Sequence, residues 1–261
     1  MSLTGTVAVV TGASRGVGKG IAEELIEQGA HVFVTGRSRD DLAYLGERGT
    51  ALVCDHRDDQ QVESAFQHVL RDAGHIDVLV NNVWGGYENM VENGAFTWGK
   101  PFWEQPMWRW DAMFTAGVRA HYHASQLAAR AMVARRSGLI VNISFWSAQK
   151  HIGNVAYGVA KAATDKLTAD MAHELKPHRV AAVSLYPGLV RTEKVMEAAA
   201  YLNLSNSESP RYIGRAVAAL ARDPDVMAVS GQWLVAAALG AKYGFADTDG
   251  KTPRPLTLAD V

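Results

Sequence analysis

The sequence predicts an α/β fold, a single domain built on a doubly wound parallel sheet of about seven strands with helices on both faces. Three observations carry that prediction. Seven short apolar runs lack in–out alternation, as strands covered on both faces must. Stretches of helical period lie between most of them, the order that gives parallel strands. No Ser- or Gly-rich linker and no fixed-period repeat divides the 261 residues, so residues 1–261 read as one unit.

Taken in order, residues 6–11 (TVAVVT) form a β-branched run that ends at Gly12. Residues 16–28 follow as a helix with Val17, Ile21, Ala22, Leu25 and Ile26 on one face, and Gly29 stops it. The second and third runs are 31–35 (HVFVT) and 51–54 (ALVC). Residues 58–71 place Val62, Ala65, Phe66, Val69 and Leu70 at the spacing of an amphipathic helix. Residues 77–81, 138–144, 179–185 and 232–236 supply the remaining strands, with helical patterns near 107–135, 155–176 and 211–222.

Two segments fall outside this alternation. Residues 84–110 are long and irregular, and hold five of the seven tryptophans. An ordered substrate cover is the expectation, with a satellite apolar cluster or subunit contact as the alternative. The tail, 241–261, carries Gly250, Pro253 and Pro255.

Composition excludes several functions. With 26 basic and 27 acidic residues the formal charge is −1, which argues against a nucleic-acid or anionic-membrane binder. One cysteine, Cys54, permits no internal disulfide and no cysteine-based zinc site. His121 and His123 point to different helix faces, so no metal is expected. No apolar run has membrane-spanning length, and the N-terminus has no signal pattern. A cytoplasmic protein is expected.

The strongest local motif is Thr11-Gly12-Ala13-Ser14-Arg15-Gly16-Val17-Gly18, which follows the first strand and opens the first helix. In that setting glycines allow a tight turn, and the helix N-terminus offers free N–H groups to a diphosphate. The place where an acidic residue would bond a ribose 2′-hydroxyl is held by Gly36, with Arg37 next. An Asp would repel a 2′-phosphate, whereas Arg37 can bond one in bidentate fashion with help from Arg15. Tyr157 and Lys161 stand four apart on a helical pattern and share one face. A neighbouring ammonium stabilises a phenolate and brings a tyrosine toward the range useful for proton transfer.

Thr-Gly-x3-Gly-x-Gly, Tyr157-x3-Lys161, Asn81-Asn82 and Pro187-Gly188 followed by Thr192 together resemble the short-chain dehydrogenase/reductase family. The resemblance covers essentially residues 6 to 239 and implies a Rossmann fold binding NADP(H). It implies cofactor contacts at Gly12, Ser14, Arg15, Gly16, Val17, Gly18, Arg37, Asp55, Asn81, Pro187, Val190 and Thr192, besides Tyr157 and Lys161. Lys161 would bond the nicotinamide ribose, and Tyr157 would give a proton to a carbonyl oxygen as hydride reaches its carbon. The implied partner is a small-molecule carbonyl or alcohol, and the aromatic insert suggests an apolar one. Homodimers or homotetramers built through the fourth and fifth helices are common in the family. The alternative function is a dinucleotide-binding sensor or regulator with little turnover.

Three departures from the family pattern bear on the chemistry. The serine that bonds the substrate oxygen is ambiguous. Counting back 13 from Tyr157 gives Ser144, counting forward from Gly138 gives Phe145, and Ser147 lies in the same loop. Ser144 is the choice made on spacing. Gly117 stands where an Asn often helps to hold a relay water, with His121 as a candidate substitute. Val83-Trp84 replaces Ala-Gly after Asn81-Asn82, so Trp84 either narrows the nicotinamide pocket or fills a gap.

Overall fold

The β-branched runs pair side by side, every neighbour parallel, into one seven-stranded sheet. The computed structural model describes residues 2–261. Its first half contains β1 (Val7–Val10), α1 (Gly16–Glu27), β2 (His31–Gly36), β3 (Gly49–Val53), α2 (Asp59–Ala73) and β4 (Val78–Asn81). An insert follows, with the short strands β5 (Val91–Glu92) and β6 (Ala95–Phe96) and then α3 (Met107–Met113). A π-helical turn, Phe114–Arg119, leads into α4 (Ala120–Arg135). The second half contains β7 (Gly138–Ile143), α5 (Val155–Leu175), β8 (Val180–Tyr186) and α6 (Glu193–Glu197). It ends with α7 (Pro210–Arg222), β9 (Trp233–Val235) and α8 (Ala236–Tyr243). The sheet order is β3-β2-β1-β4-β7-β8-β9.

Side-chain alternation along the strands divides the core into two layers. Ala8, Val10, Val32, Val34, Val78 and Val80 face one way, against Ile21 and Leu25 of α1 and Ile213 and Val217 of α7. Val7, Val9, Phe33, Leu79 and Ile140 face the other way, against Val62 and Phe66 of α2 and Ala124 and Ala128 of α4. Burying a side chain such as Phe33 or Ile21 contributes about 1.5–3 kcal/mol, so both layers must stay covered. This is why the strands read as continuous apolar runs. The order reverses between β1 and β4, and the crevice beyond their carboxyl ends is where such sheets bind ligands.

The insert is folded, where the sequence suggested an irregular segment. β5 and β6 form an antiparallel hairpin joined by Asn93 and Gly94, both at positive φ. Asn-Gly is the dipeptide this tight turn prefers. The other organiser is Arg109, fully buried on α3. Its guanidinium donates to the Thr97 and Asn89 carbonyls, to the Thr97 hydroxyl and to Gln105. It also lies against the rings of Trp98 and Trp108. One buried cation thus ties together acceptors from several parts of the loop, the Asn89 carbonyl among them. The last strand also runs directly into a helix, α8, that the sequence pattern left within strand and tail. Among the described residues no helix is long and apolar enough to cross a membrane.

Candidate active site

The glycine loop connects β1 to α1 at the reversal point. Gly12 has φ +63, and a Cβ there would stand 2.7 Å from Val83 Cα. At Gly18 a Cβ would meet the Asn82 amide at 2.3 Å and the Gly12 carbonyl at 2.6 Å. Both glycines let backbone approach backbone where no side chain fits. Asn82 ties the loop down by donating to the Thr11 and Gly12 carbonyls at 3.0 and 2.9 Å. Arg15, the N-cap residue of α1, gives no side-chain cap. The Gly16 N–H instead donates to Glu193 at 3.0 Å. The chain's own carboxylate therefore sits at the place suited to an anion.

A groove of about 530 Å³ extends from this loop, lined by Ser14, Arg15, Arg37, Asp55 and Trp84 among others. That volume lies within the roughly 300–1,000 Å³ usual for small-molecule sites. Arg15 and Arg37 are exposed and face no carboxylate in ion-pair range among the described residues. Asp55 is held by Arg57, whose Nε donates at 3.0 Å, and that guanidinium keeps the carboxyl below its usual range. Arg57 was not singled out in the sequence, because two residues after Asp55 it reads as an ordinary surface charge. The cradle closed to side chains and the two exposed guanidiniums beside it fit the phosphates of a dinucleotide.

The loop after β8 closes the other side. Pro187 and Val190 are buried, and Thr192 packs its methyl toward Gly16 while capping α6. Gly188 N–H donates to Glu208 at 2.7 Å. Burial raises that carboxyl to about 7, against the lowering effect of the Gly188 hydrogen bond.

Tyr157 lies in the first turn of α5, 8% exposed. Asn154 fixes this end of the helix, because its side chain accepts from the Tyr157 N–H at 3.1 Å and donates to the Trp98 carbonyl at 3.0 Å. Rings surround the phenol, with Trp98 at 5.5 Å, Trp84 at 5.8 Å, Tyr87 at 5.9 Å and Phe145 at 6.3 Å between centroids. Burial pushes Tyr157 up to about 12, while the Tyr87 and Ser147 hydroxyls beside it pull the other way. Lys161, one turn on, has its Nζ 5.7 Å from the Tyr157 ring centroid and donates to the Ile143 carbonyl at 3.0 Å. Burial lowers its ammonium to about 7, opposed by Asp165 a further turn along. Burial thus favours the neutral phenol of Tyr157 and works against the charge on the Lys161 ammonium beside it.

The two serines chosen between on spacing have different surroundings. The Ser144 hydroxyl turns to the backbone carbonyl of Lys161 at 3.4 Å. Ser147 is 4% exposed, lies beside the phenol, and makes no hydrogen bond of good geometry through its Oγ. Phe145 places its ring, not a hydroxyl, against Tyr157. Spacing along the chain could not separate these positions, because the short 3-10 turn Trp146–Ala148 re-aims the loop.

Asn81, expected among the dinucleotide contacts, points its side chain the other way. It is fully buried and donates to Ser125 and to Asn142, each at 2.8 Å. Asn142 passes the chain on to Thr168 at 2.7 Å. Strand alternation sends Asn81 into the core and leaves Asn82 to hold the glycine loop. His121 is fully buried, with Nε2 2.9 Å from the Val83 carbonyl. Desolvation and the nearby Lys161 lower its pKa to about 3, so it is neutral. The sequence reading missed Tyr87 and Glu193, which lie far in the chain from the groups they meet. Among the described residues no three metal-ligating side chains cluster.

Residues 6–202 match the profile of the short chain dehydrogenase family. The chain is 43% identical to the mouse dehydrogenase/reductase SDR family member 1, over 95% of this chain and 85% of that protein. With the human protein of the same name the identity is 41%, over 99% and 88%. Among solved structures, a 7α-hydroxysteroid dehydrogenase complexed with NADH and 7-oxo glycochenodeoxycholic acid superposes with a TM-score of 0.76 at 27% identity. That match covers 90% of this chain and 93% of the enzyme. With its sheet order and its crevice already matching the pattern, the chain belongs to the short-chain dehydrogenase/reductase family, a family of oxidoreductases that bind nicotinamide dinucleotides.

Proposed function

We propose that the chain is an NADP(H)-dependent oxidoreductase acting between the alcohol and carbonyl forms of an apolar small molecule. The observation that carries this reading is the buried Tyr157 phenol, ringed by aromatics and one turn from Lys161. When bound, the nicotinamide supplies or accepts the hydride. Arg37 and Arg15 would hold a 2′-phosphate, since both guanidiniums line the groove and neither is in an ion pair among the described residues. The backbone from Gly12 to Gly18 would hold the diphosphate, and the Pro187, Val190 and Thr192 loop would border the nicotinamide.

In the reductive direction Tyr157 gives its proton to the carbonyl oxygen. A phenol that burial keeps protonated is suited to that step. Charge on Lys161 stabilises the phenolate left behind. Ser147 is the proposed hydroxyl to bond the substrate oxygen, in place of Ser144, because its Oγ is free and beside the phenol. In oxidation the phenolate takes the alcohol proton. Trp84 and Trp98, with the half-exposed Tyr87 at the rim, shield the phenol and select an apolar substrate, which gives the insert its role as a cover. The 7-oxo steroid in the structural relative supports a cyclic ketone as the first substrate to try.

Exposed Tyr122 on α4 and Val155 and Val159 on α5 support assembly into a homodimer or homotetramer through those helices. Sedimentation of the protein at micromolar concentration would read that state.

The test is NADPH oxidation with a panel of cyclic ketones and aldehydes, wild type against Tyr157→Phe. Turnover by wild type and a loss on the order of 10³-fold in the variant are expected. Binding of NADPH without consumption anywhere in the panel would favour a sensor instead.

A further inference from the structure

We propose that Trp84 is a positioning residue for Lys161: its indole face carries the ammonium where a polar relay would otherwise stand, and Gly117 is there to admit the ring. The proposal rests on reading Tyr157 and Lys161 as the acid–base pair, but not on which carbonyl they serve.

Two departures in the sequence, Trp84 after β4 and Gly117 before α4, are one feature in space. A Cβ at position 117 would stand 2.7 Å from Cζ3 and 2.9 Å from Cε3 of Trp84. Even alanine is excluded while the indole is present. Gly117 lies within the π-helical turn Phe114–Arg119, and such turns widen a helix locally and cluster at functional sites. The indole therefore occupies the volume that a side chain at 117, and a water held by it, would need.

The ring also meets both members of the pair. Lys161 Nζ sits 3.6 Å from the indole centroid. Trp84 stands edge-on to Tyr157, 5.8 Å between centroids at 87°. The indole Nε1 is buried without a hydrogen-bond partner, so an N–H bond does not hold the ring in place. What it offers the ammonium is its face, and a desolvated ammonium over an indole is a strong case of cation–π attraction. Lys161 has three N–H donors. One goes to the Ile143 carbonyl at 3.0 Å and one to the indole face, which leaves one for a ribose hydroxyl.

The groups facing Lys161 settle the sign of the expected effect. Asp165 and Tyr157 come from its own helix, and Tyr186 of β8 holds Asp165 by a hydrogen bond. His121 faces it from α4 but stays neutral, and Tyr87 of the insert reaches Tyr157. The indole favours the charged amine against burial, so exchanging the ring for an apolar side chain that keeps the site dry lowers the Lys161 midpoint. The Tyr157 phenolate then loses part of its support, and the acidic limb of alcohol oxidation moves to higher pH.

The experiment is a pH titration of the Lys161 side-chain resonance in isotope-labelled, dinucleotide-free protein, assigned with Lys161→Met. Trp84→Leu should lower the midpoint by about one pH unit, and Trp84→Phe by less. An unchanged midpoint in Trp84→Leu overturns the proposal. The second arm measures thermal unfolding of Gly117→Ala in wild type and in Trp84→Ala. A loss of stability with the indole present, and little change without it, supports the coupling. Equal losses in both backgrounds refute it. Because neither arm needs turnover, a failure of the redox reading would leave both results legible.

Discussion

The glycine-loop side of the crevice is built from backbone, whereas the side around Tyr157 is built from side chains of distant segments. On the first side, Gly12 and Gly18 bring main chain against main chain, and Asn82 fixes the turn through two carbonyls. On the second, Trp84, Tyr87 and Trp98 from the insert and Phe145 from the loop after β7 converge on one phenol of α5. The difference teaches that the two sides fail differently. A backbone cradle depends on a few glycines and on local geometry. An aromatic enclosure depends on whatever holds its segments together, here Arg109 and Asn154.

The comparison sharpens first at the serines. Ser147→Ala should lower kcat about a hundredfold in the substrate assay while leaving dinucleotide affinity unchanged, since a hydrogen bond to developing charge is worth about 2.7 kcal/mol. Ser144→Ala should cost far less, because that hydroxyl turns to the Lys161 carbonyl. The opposite ranking would return the role to Ser144.

Arg109→Met breaks the enclosure without touching the cradle. It leaves the Asn89 carbonyl without its donor and takes one of several donors from the Thr97 carbonyl, at a local cost of about 1–3 kcal/mol. Hydrogen exchange should rise across 89–105, with a higher KM for substrate and unaltered NADPH affinity.

Arg37→Ala does the reverse. NADPH binding should weaken roughly tenfold or more, NADH binding should barely change, and the insert should remain protected from exchange. Equal losses for both dinucleotides would contradict a 2′-phosphate contact.

The smallest effect is expected at Glu193. Its carboxylate takes the Gly16 N–H that a diphosphate would need. Glu193→Gln should tighten dinucleotide binding a few-fold by weakening that competition. Weaker binding would show that the carboxylate organises the cradle.

The same contrast explains what the sequence made legible. Seven parallel strands, the five long helices and the glycine loop follow from local patterns, and all stand where those patterns put them. Tyr157 and Lys161 share a helix face because four residues is about one turn. Asn81 turns its side chain into the core because the strand's alternation, not its motif, decides which of two adjacent asparagines faces the crevice. The hairpin at Asn93-Gly94 had a local signal that the surrounding aromatic residues obscured. The pairing of Trp84 with Gly117 and the placing of Ser147 arise from packing between segments far apart in the chain, which no spacing rule encodes.

The central claim is that hydride passes between the nicotinamide and a substrate carbon while Tyr157 moves the proton. A single turnover with NADPH deuterated at the transferred position reads it most directly. The account predicts a product alcohol carrying deuterium on its former carbonyl carbon, and almost none with Tyr157→Phe although that variant still binds NADPH. Label transfer at the same rate in Tyr157→Phe, or bound NADPH that never gives up its label to any ketone, would contradict it.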